Sequence, residues 1–104
     1  MPQRLDQLQK LYDLDPSDPF VTYGIALEKG KAGQFADAIQ WLDKTLQLDC
    51  HYHYAYFQKA KMLSETGDDT TAKAVLEAGL RIAHEDDDAQ AKRELAELLE
   101  SLNE

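Results

Sequence analysis

At 104 residues, with 43% hydrophobic and 30% charged side chains and only five glycines and three prolines, the chain has the composition of one globular, helix-rich domain rather than of a disordered segment. Twenty acidic residues against eleven basic ones leave a formal charge of −9, a field that repels nucleic-acid phosphates and anionic lipid surfaces. No apolar run has the length of a signal-peptide core or a membrane span, and a lone Cys50 cannot form an internal disulfide, so the expected setting is the cytoplasm.

Apolar residues recur at helical spacing throughout, and the predicted helices in chain order lie at 3–14, 19–32, 35–48, 53–66, 69–83 and 87–102. Before the second helix stand Pro16 and Pro19, with Ser17 or Asp18 as the N-cap and Pro19 in the first turn. The stripe Phe20, Tyr23, Leu27 marks the second helix and Gly33 ends it. Ile39, Leu42, Leu46 mark the third. Tyr56, Met62, Leu63 belong to the fourth, Gly67 closes it, and Asp68 or Asp69 caps the fifth, whose stripe is Val75, Leu76, Leu80. In the sixth, Leu95, Leu98, Leu99 and Leu102 form one apolar side, suited to covering the open end of a helical stack.

A shift of 34 residues superimposes unlike parts of the chain: Ala26 falls on Ala60, Gly33 on Gly67, Ala38 on Ala72, Leu42 on Leu76 and Leu46 on Leu80. Phe20 falls on Tyr54 and Tyr23 on Phe57. Shifted backwards, residues 4–14 read as the second helix of an earlier, truncated repeat. The organisation expected is a single domain over 1–104: a half-repeat at 3–16, repeats at 19–52 and 53–86, and a capping helix at 87–102.

This 34-residue helix–turn–helix unit resembles the tetratricopeptide repeat family. The resemblance is carried by Leu14-Asp15-Pro16, then Ile25-Ala26, Gly33, Phe35, Ala38-Ile39 and Leu46-Gln47-Leu48-Asp49, then Tyr56, Ala60, Leu63, Gly67-Asp68, Ala72, Leu76 and Gly79-Leu80. It implies an all-α fold, a right-handed α–α superhelix, with Ala26, Ala38, Ala60, Ala72 and Gly79 small where helices approach closely. Against the family pattern, Thr22 replaces an aromatic, Lys29 and Lys59 replace apolar residues, and Cys50 and His84 replace the helix-ending proline.

The resemblance also implies that the first helix of each repeat lines a peptide-binding face. The residues that map there are Phe20, Tyr23, Gly24, Leu27 and Lys31, then Tyr54, Phe57, Gln58, Lys61 and Glu65. Some relatives grip a peptide's terminal carboxylate with Lys and Asn. Here Leu27 and Lys61 stand where that grip needs Asn, so shape complementarity around aromatics is the expected mechanism, and the expected partner is a protein or peptide segment.

Cys50, His51 and His53 have metal-ligand side chains but crowd one helix start, and Glu85-Asp86-Asp87-Asp88 is better placed to cap the last helix than to hold a cation. No nucleophile–base spacing, phosphate loop or dinucleotide fingerprint is present, so neither enzyme activity nor a cofactor or metal is expected. Two repeats are fewer than the three a self-sufficient stack usually needs. The alternative to a binding adaptor is therefore a self-assembling protein that homodimerises through the groove or its last helix.

Overall fold

The helical periodicity is realised along the chain. A computed structural model describes residues 3–104 and places six helices there, α1 (Gln3–Leu14), α2 (Pro19–Lys31), α3 (Phe35–Leu48), α4 (His53–Glu65), α5 (Asp69–Glu85) and α6 (Ala89–Leu102). Met1 and Pro2, part of the expected domain, lie outside the described residues, and among the described residues there is no strand. The caps explain the start points. Asp18, Asp68 and Asp88 accept hydrogen bonds from the N–H groups of Phe20, Thr71 and Ala91, satisfying donors the helices leave open.

The fifth helix differs from expectation, running to Glu85 rather than 83, and the sixth begins at Ala89 rather than 87. With His84 in place of a proline, nothing stops the helix until Asp87, which adopts φ +53° and whose N–H donates to the His84 carbonyl. Gly33 (φ +78°) and Gly67 (φ +89°) close α2 and α4 with the same i→i−3 wrap. Aspartate is one of the few side chains that tolerates this left-handed geometry.

Packing divides the chain into two units, the first ending at Asp49 and the second beginning at Cys50. In the first, α1 lies on α2, and α2 pairs with α3. Leu8, Val21 and Ile25 form a core flanked by Leu5, Tyr12 and Trp41, with the Tyr12 and Trp41 rings edge to face at 4.9 Å. Gly24, mapped by the resemblance to the binding face, is instead buried beneath α1. A Cβ there would lie 3.2 Å from Leu8 Cδ2, so a side chain at this position would press on Leu8. Ala26, Ala38 and Leu42 are fully buried.

The unusual residues of α2 have partners. Thr22 is fully buried, and its hydroxyl meets that of Thr45 at 2.7 Å, one donating to the other while the acceptor donates to its own helix carbonyl, Pro19 for Thr22 or Trp41 for Thr45, at 3.0 Å. Lys29 reaches Asp37 at 2.8 Å, its stem covered and its charge neutralised.

In the second unit α4 pairs with α5, and α6 packs on α5 and on α4. Ala55, Ala60, Ala72, Leu76 and Ala83 are fully buried. The tightest approach is at Gly79, where a Cβ would lie 2.8 Å from Tyr56 Cβ, 2.9 Å from its Cγ and 3.3 Å from Leu95 Cδ1. Tyr56 is held from its other end, its hydroxyl donating to the Cys50 carbonyl at 2.7 Å.

Two outcomes test this packing. Gly79→Ala should lower stability by about 1–3 kcal/mol through overpacking, a drop in melting temperature of several degrees; an unchanged transition would refute the contact. In a double-mutant cycle, Thr22→Val and Thr45→Val should each cost about 1 kcal/mol singly, while the pair costs clearly less than their sum, because either single substitution already removes the contact the two hydroxyls share.

Candidate functional site

Helical geometry decides which side chains of the second unit face outward. With Ala55, Tyr56 and Ala60 of α4 turned into the core, Tyr54, Phe57 and Gln58 fall on the adjoining side at i, i+3, i+4 spacing. On α6, Ala91 and Leu95 turn onto α5, leaving Glu94, Glu97 and Leu98 with the same spacing on the flank toward α4. These six side chains line a groove of about 410 Å³ between the two helices. Tyr54 is 50% exposed within it, and Phe57 and Leu98 are half-buried, so the floor is apolar and open to solvent.

The groove continues one turn further into a hollow of about 440 Å³ lined by Lys61, Ser64 and Glu65 on one side and Leu98, Ser101 and Leu102 on the other. Residue numbers rise together along the two walls, so α4 and α6 run parallel. The first hollow is aromatic with two carboxylates on the α6 wall. The second mixes polar and apolar surface, with Lys61 beside Glu65 on one side and Leu98 and Leu102 on the other.

Of the residues expected to form the binding face, Tyr54, Phe57 and Gln58 are thus brought together in one groove and Lys61 lines its continuation. Phe20, Tyr23, Leu27 and Lys31 belong to α2 in the first unit. Phe20 is 65% exposed there, Tyr23 and Leu27 are half-buried, and Lys31 pairs with Glu28 at 3.2 Å, a carboxylate that also takes Arg4 at 3.1 Å. Glu94, Glu97 and Leu98 were missed as site residues. Their shared helical side is visible in sequence, but nothing there says that it faces α4.

The histidines at the start of α4 reach the acidic run after α5. His51 Nδ1 lies 2.9 Å from both Asp86 carboxylate oxygens, His53 Nε2 lies 2.7 Å from Asp86 Oδ2, and His53 Nδ1 lies 3.3 Å from Asp88 Oδ2. The acidic run therefore divides its roles: Asp88 caps α6, and Asp86 joins the α5–α6 turn to the start of α4. The hydrogen bond from His51, with a further one from His53, holds the Asp86 carboxyl below its ordinary 3.8. Among the described residues, no group of three or more His, Cys, Asp or Glu side chains is arranged to hold a metal ion, and no helix is long and apolar enough to cross a membrane.

Because folding lowers the Asp86 pKa, its ionised form stabilises the fold above 3.8, and that contribution disappears as pH falls through the lower folded value. Wild type should therefore exceed Asp86→Asn in stability near neutrality, with the gap closing in acid. Denaturant titrations from neutral pH into acid that show a constant gap would contradict the assignment.

Solved structures share this fold. The TPR2B domain of yeast Sti1, in a complex with pHsp70, superimposes with a TM-score of 0.91 at 20% identity, covering 98% of this chain and 82% of that one. A tetratricopeptide repeat domain protein from Salinibacter ruber gives 0.79 at 23% identity, covering 85% and 89%. The fold is that of a tetratricopeptide repeat domain. PcrH in complex with the chaperone binding region of PopD gives a TM-score of 0.84 at 18% identity over 92% of this tetratricopeptide-type chain and 73% of that one. No protein-family model matches the sequence, and neither does any curated protein sequence.

Proposed function

We propose that this tetratricopeptide-type domain is a protein–protein interaction module that takes a peptide or protein segment in the groove between α4 and α6. The observation that carries the reading is the open aromatic floor: Tyr54 half exposed beside Phe57 and Leu98, apolar surface that folding leaves uncovered in a concave site. Aromatic anchors of this kind combine large contact area with few rotors to immobilise. The fold supports the same reading, since yeast Sti1 TPR2B is seen with pHsp70 and PcrH with the chaperone binding region of PopD.

Phe20, Tyr23 and Leu27 share a side of α2 and are proposed as contact residues of the first unit by itself. Lys31 serves Glu28 rather than a ligand carboxylate, and Lys61 stands beside Glu65, so recognition rests on shape and apolar contact rather than on a carboxylate grip. Binding rather than catalysis suits a groove whose polar groups are two glutamates, a phenol and an amide, with no base poised against a nucleophile. A cytoplasmic location belongs to the same reading, because Cys50 is an exposed free thiol.

A second reading, homodimerisation, is favoured by Leu11 and Leu14 on α1, which are 50% and 83% exposed. Light scattering across a concentration series distinguishes it, since Leu14→Lys would dissolve such a dimer and leave a monomer unaffected.

The test of the main reading is capture of a native partner by wild type and by variants. Tyr54→Ala and Phe57→Ala should each weaken binding by about 1–3 kcal/mol, roughly tenfold or more, while circular dichroism shows the helices intact. Undiminished capture by both folded variants would remove the groove from the binding surface.

A further inference from the structure

The two glutamates on the α6 wall give the groove a selectivity. Several carboxylates elsewhere in the domain have cationic partners: Glu28 takes Arg4 and Lys31, Asp37 takes Lys29, and Asp86 takes His51 and His53. Among the described residues, no Lys, Arg or His pairs with Glu94 or Glu97. The Gln90 amide reaches Glu94 at 3.4 Å, the long limit for a hydrogen bond, and the facing wall of the apolar hollow supplies Tyr54, Phe57 and Gln58, none of them cationic. Lys61 lies one turn further on, beside Glu65.

Building on the groove as the binding site, we infer that it selects a segment in which an apolar side chain is flanked by arginine or lysine. The apolar side chain rests on Phe57 and Leu98, and the cation meets Glu94 and Glu97. The physical reason is desolvation. A ligand that seats an apolar group on Leu98 strips water from the carboxylates one and four residues before it on the same helix side, and only a ligand that brings a positive charge offsets that cost. An acidic or merely apolar segment is disfavoured by the same groups, so the pair rejects as well as attracts. Arginine outranks lysine here, because its planar head can pair with a carboxylate while stacking on the exposed Tyr54 ring. The chain's charge of −9 draws such a ligand in from a distance and makes association faster at low salt.

The experiment uses three fluorescein-labelled peptides with blocked ends, sharing leucines at helical spacing and carrying arginine, glutamine or glutamate at the flanking positions. Fluorescence anisotropy gives the Kd of each for wild type, for Glu94→Gln/Glu97→Gln, for Tyr54→Ala, and for the charge-matched control Glu77→Gln/Glu104→Gln. Wild type should bind the arginine peptide about three- to tenfold tighter than the glutamine peptide, the span expected for two rim ion pairs, with the glutamate peptide weakest. The groove double variant should bring the arginine-to-glutamine ratio close to one, while the control leaves it in place. Equal binding of the arginine and glutamine peptides by wild type, or a preference that survives in the groove double variant, overturns the selectivity. In that case a glutamine peptide still weakened by Tyr54→Ala leaves the groove standing as a binding site. If none of the three peptides responds to Tyr54→Ala, the groove and its selectivity fall together.

Discussion

The second unit is organised around a missing methyl group. At Gly79 the space a Cβ would need is already filled by Cβ and Cγ of Tyr56, and Leu95 closes in from α6. That contact sets how α4 is rotated on α5. With the Tyr56 ring lodged there and its hydroxyl tied to Cys50, Tyr54 and Phe57, two residues before and one after, must turn to the outside. Leu95 seated at the same point sets the rotation of α6, and so leaves Glu94, Glu97 and Leu98 on the flank toward α4. The groove is the space that remains when both helices are docked on one glycine.

Polar groups within the packing are matched locally. Thr22 and Thr45 lie where a helix seam is fully dry, and two hydroxyl protons shared among each other and two carbonyls satisfy both. No buried side-chain nitrogen or oxygen among the described residues lacks a hydrogen-bond partner. Asp86 works differently. Its carboxylate sits at the surface between two imidazoles and ties the turn after α5 to the start of α4, where the backbone alone offers only a short left-handed turn at Asp87.

The two halves of the groove illustrate how one pair of parallel helices presents different chemistry along its length. Each turn of α4 and α6 contributes one set at i, i+3, i+4, so the first set makes an aromatic hollow with an acidic wall and the next makes a mixed polar and aliphatic one. Leu98 belongs to both and joins them. A ligand lying along the helices would therefore meet a fixed order of contacts, aromatic and acidic first, mixed polar and aliphatic afterwards.

Much of this architecture is legible in the amino-acid order. The offset of 34 and the small residues Ala26, Ala38, Ala60, Ala72 and Gly79 mark where helices approach, because close packing restricts those positions to residues without bulk. The aromatic positions Tyr54 and Phe57 are legible as well, since they repeat at helical spacing on a side that the core does not use. Three features required the folded chain. Thr22, an oddity when read alone, is explained by Thr45 twenty-three residues away. Gly24, read as part of a binding face, is buried by Leu8 of a different helix. Glu94, Glu97 and Leu98 become a wall only because α6 lies beside α4. Helical periodicity is local and is encoded over a few turns, so the sequence by itself determined where the helices lie and where their close approaches fall, though not which side of α2 is buried. Which sides of the helices face each other depends on contacts between distant residues, and that only the tertiary structure decided.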